Sequence, residues 1–148
     1  MKPIAVTAKL AVAPQPKLSD FQEFRRFGFT TVVNNRPDNE DPTQLGSAAE
    51  EEAARAAGLG YVHIPVTSSG MTEDDARLFK ETIEQAPGPV VAHCKSGARS
   101  LYLWVLSGDL DSHTDAELLA KAAELGVDTN AARTWLAAHR NGSGGNHK

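Results

Sequence analysis

Three short apolar, β-branched runs, Phe29 to Val33, Tyr61 to Ile64 and Pro89 to Ala92, each follow a segment carrying the marks of a capped helix. Neighbouring parallel strands need a crossover connection, usually helical, so this alternation predicts a mostly parallel sheet flanked by helices in a single α/β domain. The helix starts are marked by a Ser or Thr with a Gln, Glu or Asp three residues on: Ser19 with Gln22, Ser47 with Glu50, Thr72 with Asp75, and Thr114 with Glu117. Gly28, Gly58 and Gly126 mark stops, where a left-handed residue is needed. The expected helices run over 20–27, 48–57, 73–86 and 115–125. Ile4 to Val12 is a strand or strand pair, and Ala98 to Leu106 and Ala131 to His139 are further helices. Residues 1–140 are expected to form the one folded domain. Residues 141–148 carry no apolar side chain and are expected to be a flexible tail.

The chain has 148 residues, 41% hydrophobic and 23% charged, the profile of one globular domain. No apolar run approaches the roughly 18 residues of a membrane span, and Lys9 interrupts what would have to be the apolar part of a signal peptide, so a cytoplasmic location is expected. Lys and Arg total 15 against 19 Asp and Glu, a formal charge of −4, so no net basic field attracts nucleic acid or a membrane surface. A bound anion must be held by local geometry. The single cysteine, Cys94, excludes an internal disulfide and a multi-cysteine metal cluster, and the five histidines show no ligand spacing, so no metal and no cofactor are expected. A serine hydrolase is disfavoured because the Gly-x-Ser-x-Gly elbow is missing.

Function is therefore sought at Cys94. The segment Pro89-Val90-Val91-Ala92-His93-Cys94-Lys95-Ser96-Gly97-Ala98-Arg99-Ser100 reads as a buried strand, a tight loop and a helix start. Backbone amides at a helix N-terminus make an anion nest. The same field, with Lys95 and Arg99, favours a thiolate at Cys94. Gly97 lets the backbone turn so that the amides of Lys95, Ser96, Gly97, Ala98 and Ser100 converge, and Arg99 offers a planar fork to an oxyanion. His93 either orients this loop or fills the strand end. Asn34, Asn35, Arg36 and Asp38 follow a strand expected beside that of Cys94, which places their loop at the same carboxyl edge of the sheet, the usual ligand side. Read as a plain turn, that loop would carry solvated charges that include Glu40 and Asp41.

The loop from His93 to Ser100 resembles the active-site loop of protein tyrosine phosphatases and rhodanese-type sulfurtransferases. Together with Thr31-Val32-Val33-Asn34-Asn35-Arg36-Pro37-Asp38, Tyr61-Val62-His63-Ile64-Pro65-Val66 and Trp104, it resembles the beta-lactamase hydrolase-like phosphatase or DUF442 family over about residues 5 to 138. The resemblance implies a dual-specificity-phosphatase-like fold, in a family whose members are labelled both phosphatases and sulfurtransferases. Tyrosine phosphatases carry one residue more between cysteine and arginine than the Lys95-Ser96-Gly97-Ala98 found here, whereas rhodanese-like loops use the shorter spacing. Alignment on dual-specificity phosphatases puts their general acid near Ser68, where there is none. Asp74 and Asp75 suit a helix start better.

The main expectation is a sulfurtransferase. Cys94 would take sulfane sulfur from a small sulfur-containing anion and pass it as a persulfide to an external thiol such as glutathione. The alternative is a phosphatase acting on a phosphorylated anionic substrate through a phosphocysteine, with Asp38 as a substitute acid. A third reading is a non-catalytic anion-binding module.

Overall fold

The computed structural model describes residues 2–107 and 114–146, with side chains through Ala138. A five-stranded sheet is built from β1 (Ile4–Ala5), β2 (Leu10–Ala13), β3 (Thr31–Asn34), β4 (Gly60–His63) and β5 (Val90–His93) in the order β1-β2-β5-β3-β4. The uncertain N-terminal segment is a strand pair. β1 runs antiparallel to β2 at the edge, and the other pairings are parallel. The helices are α1 (Asp20–Arg26), α2 (Ser47–Ala56), α3 (Glu73–Gln85), α4 (Ala98–Ser107), α5 (Asp115–Leu125) and α6 (Thr129–Asn146).

Successive strand residues point to opposite faces, and the apolar runs divide accordingly. Ala13, Val32 and Val91 pack with Phe21 and Phe24 of α1, Ala54 of α2 and Leu59. Val12, Val33, Val90 and Ala92 turn the other way, onto Phe79 of α3 and Leu103 of α4. The central strands β3 and β5 are thus covered on both sides, which is why they read as unbroken apolar runs. A third cluster joins α4 to α5 and α6, where Tyr102 and Trp135 stack at 4.2 Å and 8°.

Thr72 and Thr114 form reciprocal capping boxes with Asp75 and Glu117, as the spacing predicts. Gly28, Gly58 and Gly126 all have positive φ. The other two expected caps fail. Ser19 already has right-handed helical dihedrals, so its hydroxyl is not in the extended geometry a cap requires. Ser47 lies inside α2, behind Gly46, and the helix start is held by Asp38 instead: Ser47 N–H donates to Oδ1 at 2.7 Å and Ser47 Oγ to Oδ2 at 2.6 Å. Helix α6 continues through Asn146, so it takes in 141–146 of the expected tail, while His147 and Lys148 lie outside the described residues. No described helix is long and apolar enough to cross a membrane.

Phe79 is fully buried between α3 and the sheet. Phe79→Ala is expected to lower unfolding stability by about 3–5 kcal/mol, through lost transfer energy and a residual cavity. Urea unfolding checks this as a lower midpoint with an unchanged slope.

Candidate active site

The parallel register sets Ala13, His93 and Asn34 level with one another, and Asn34 level with His63, so β2, β5, β3 and β4 end together. The chain leaving each strand is then laced to its neighbour. Asn35 N–H donates to His93 O at 2.7 Å, Ile64 N–H to Asn34 O at 2.8 Å, Val66 N–H to Asn35 O at 3.0 Å, and Gln15 N–H to Lys95 O at 3.0 Å. Gln15, Asn35, Arg36 and Cys94 are thereby brought to one carboxyl edge, as expected for the ligand side of such a sheet.

Cys94 is fully buried. Its Sγ accepts the Gly97 N–H at 3.1 Å. Gly97 has φ +97°, and a Cβ there would lie 3.0 Å from Leu125 Cδ2 and 3.3 Å from Ala13 O, so both conformation and space call for glycine. Lys95 and Ser96 are exposed, and Ser96 Oγ accepts the Ala98 N–H at 3.2 Å. The side chain of Ser100 turns inward and is fully buried. Its hydroxyl donates to Asn35 Oδ1 at 2.8 Å while Asn35 Nδ2 donates to Ile64 O at 3.0 Å, so both residues pin α4 to the strand ends.

The site holds two arginines and, between them, a residue that sequence reasoning left as solvent-facing charge. Glu40 Oε2 accepts from Arg99 Nη1 at 2.6 Å and Oε1 from Arg99 Nη2 at 2.9 Å. Oε1 also accepts from Arg36 Nε at 3.0 Å. Arg99 Nη1 donates to Val66 O at 3.1 Å as well, and the guanidinium interacts electrostatically with Cys94. Arg36 is almost wholly buried and donates through Nη1 to Gln15 Oε1 at 3.1 Å. The hydrogen bond to Glu40 raises the pKa of Arg99, and hydrogen bonds from Arg99 and then Arg36 bring Glu40 down to about 2 against the opposing effect of burial. Nothing in the spacing of Glu40 and Arg99, which lie far apart in sequence, announced this contact.

Beneath the loop lies a second group of polar contacts. Glu50, given by its spacing to a capping box, is buried instead, with Oε1 2.6 Å from His93 Nε2. It also accepts from Tyr61 Oη at 3.2 Å and from Gln15 Nε2 at 2.8 Å. Asn34 Nδ2 donates to Tyr61 Oη at 2.9 Å. Burial and the neighbouring Glu50 push the Tyr61 hydroxyl pKa up. His93 Nδ1 lies 3.2 Å from Cys94 O, so the imidazole both fills the strand end and holds the loop.

The carboxylates considered as acids are engaged elsewhere. Asp38 has a lowered pKa, chiefly from the Ser47 hydroxyl, at the start of α2. Asp74 pairs with Arg77 on the exposed face of α3, and Asp75 completes a capping box. Among the described residues no group of three or more His, Cys, Asp and Glu is placed to hold a metal ion.

A buried cysteine at the end of a central parallel strand, followed by a glycine turn, a helix N-terminus and an arginine, is the layout of the tyrosine- and dual-specificity-phosphatase class of cysteine-dependent folds. Within that class, residues 4–111 match the family described as beta-lactamase hydrolase-like protein, phosphatase-like domain, and the chain belongs to that family. A beta-lactamase hydrolase-like protein of Agrobacterium fabrum is 42% identical over 139 residues, covering 92% of this chain but 32% of that protein. The chain therefore spans about a third of the length of this curated relative. A candidate phosphatase of Neisseria meningitidis superposes with TM-score 0.80 at 28% identity, covering 91% of this chain and 96% of the other. A candidate DUF442 phosphatase of Shewanella putrefaciens gives TM-score 0.72 at 20% identity, over 91% and 84% of the two chains.

Two outcomes follow from the polar groups. Glu50→Ala leaves His93, Tyr61 and Gln15 facing a buried gap and is expected to cost about 3–5 kcal/mol of stability in denaturant unfolding. Because the folded-state pKa of Glu40 is lowered from 4.5 to about 2, its pairing contributes fully above the unfolded value and is lost as pH falls toward 2. An NMR titration of the Glu40 side chain is expected to show that low midpoint.

Proposed function

We propose that the protein is a cysteine-dependent sulfurtransferase, in which Cys94 takes sulfane sulfur from thiosulfate or a persulfide and hands it to a thiol such as glutathione. The observation that carries this reading is the pairing of a sulfur nucleophile, hydrogen-bonded by Gly97 N–H and in electrostatic interaction with Arg99, with candidate acids that are engaged elsewhere. The Cys94 thiolate attacks the outer sulfur of thiosulfate, a new S–S bond forms, the donor S–S bond breaks, and sulfite leaves with the electron pair. Sulfite is a stable anion and needs no proton. The loop amides and Arg99 hold the oxyanion of the donor during attack. An acceptor thiolate then attacks the outer persulfide sulfur, and Cys94 leaves as thiolate. The acceptor comes from outside this chain because Cys94 is its sole cysteine.

Phosphatase action is the second reading, and the family description and the Neisseria and Shewanella structures favour it. Cys94 would attack phosphorus and form a phosphocysteine that water hydrolyses. That route expels an alkoxide or phenoxide, for which a positioned acid contributes strongly. Asp38, the substitute considered for that task, holds the start of α2.

Intact mass after brief exposure to thiosulfate, beside a p-nitrophenyl phosphate assay, separates the two. The expected result is a gain of one sulfur, removed by cyanide or glutathione and abolished in Cys94→Ser, with little phosphate release. Cys94-dependent phosphate release without a sulfur adduct would establish the phosphatase instead. Anion binding with neither activity would leave a binding module.

A further inference from the structure

Glu40 takes no part in the chemistry proposed above, yet it holds both arginines of the site, Arg36 and Arg99. Its carboxylate fills the fork of Arg99, with one oxygen on Nη1 at 2.6 Å and the other on Nη2 at 2.9 Å. This two-point geometry is the one a guanidinium uses to grip a carboxylate, sulfate or phosphate edge. Arg99 Nη1 has its second proton on Val66 O, so the fork has no spare donor on that nitrogen. The arginines are anchored from behind, Arg36 by Gln15 Oε1 at 3.1 Å and Arg99 by Val66 O at 3.1 Å. The Glu40 side chain, by contrast, is 28% exposed and sits in the connection between β3 and α2, with solvent to turn into. When an external oxyanion approaches Cys94, Glu40 is therefore the partner free to move.

We infer that Glu40 is a displaceable internal anion, occupying the Arg99 fork until the oxyanion of a ligand takes its place. This rests on the reading that Arg99 is the anion binder of the Cys94 site, and it does not depend on which reaction follows. The consequence is a threshold. An incoming anion must outcompete a tethered carboxylate, so ordinary inorganic anions bind weakly, and the ligands that succeed combine an oxyanion for Arg99 with an atom that Cys94 attacks.

Inorganic sulfate is the probe, titrated calorimetrically at low ionic strength into the wild type and Glu40→Gln, and read independently as protection of Cys94 from iodoacetamide. Removing the competing charge while keeping the side-chain shape is expected to tighten sulfate binding on the order of tenfold or more. Unchanged or weaker binding in Glu40→Gln would overturn the inference and make Glu40 a positioning residue for Arg99. A crystal of the wild-type protein grown in sulfate gives a test free of any folding defect in the variant. The expected result is sulfate on Arg99 with the Glu40 carboxylate withdrawn. Sulfate seated at Cys94 with Glu40 still forked on Arg99 would overturn the inference. Sulfate binding that survives Arg99→Ala would overturn the anion-site reading beneath it, whereas the thiosulfate adduct on Cys94 tests the sulfur-transfer reading separately.

Discussion

A carboxylate buried to 1% exposure dictates much of what surrounds it. Glu50 on α2 draws donors or ring nitrogens from the end of β5 (His93), from β4 (Tyr61) and from the turn after β2 (Gln15). A buried carboxylate without such partners would be heavily penalised, so these segments have to converge for α2 to dock at all. The chain that follows two of those strands carries the residues of the site. In this way the requirement to satisfy one acidic side chain fixes the carboxyl edge of the sheet, and with it the place where Cys94 emerges.

Gln15 connects this lower level to the arginines above. Its Nε2 donates to Glu50 Oε2 and its Oε1 accepts from Arg36 Nη1, which settles the orientation of the amide, since the reverse would set donor against donor. Arg36 passes to Glu40 and Glu40 to Arg99, while His93 at the other end lies against the carbonyl of Cys94. The polar contacts thus form a continuous chain from the Cys94 carbonyl to Arg99. Such a chain is stiff, because its inner members are each held from two sides. Glu40, with its access to water, is the member most able to yield.

Local pattern carried the fold further than it carried the site. Strand and helix alternation, the glycine stops and the Thr72 and Thr114 boxes were legible because each depends on residues a few positions apart. Ser47 with Glu50 satisfied the same pattern and meant something else. The cap came from Asp38, nine residues earlier, and Glu50 was drawn inward by His93, forty-three residues later. The expected alignment of the Arg36 loop with the Cys94 strand held because β3 pairs with β5. Glu40 escaped notice because its partner Arg99 lies fifty-nine residues away and a charged loop residue ordinarily faces water. The Ser100 hydroxyl has a partner that spacing did not announce, Asn35, sixty-five residues earlier, reached because burial turns this side chain toward the strand ends.

The state of the acidic groups bears on the chemistry more directly than the fold does. In either proposed reaction the substrate, a phosphate monoester or thiosulfate, would present an oxyanion to Arg99 and an electrophilic centre to Cys94, so the loop by itself does not decide between them. They differ in what must leave. An alkoxide asks for a proton at the moment of bond breaking, which requires an acid that is still protonated near neutral pH and placed opposite the sulfur. Glu40 is held ionised by two arginines, and Asp38 is held low chiefly by the Ser47 hydroxyl, so neither retains a proton there. Sulfite asks for nothing of the kind. On the sulfur-transfer reading proposed above, carboxylates that serve as anchors and counter-charges suit a leaving group that departs as a stable anion, and the shorter Cys94-to-Arg99 loop, with fewer amides to surround a tetrahedral phosphate, works in the same direction, whereas the family the chain belongs to favours the phosphatase.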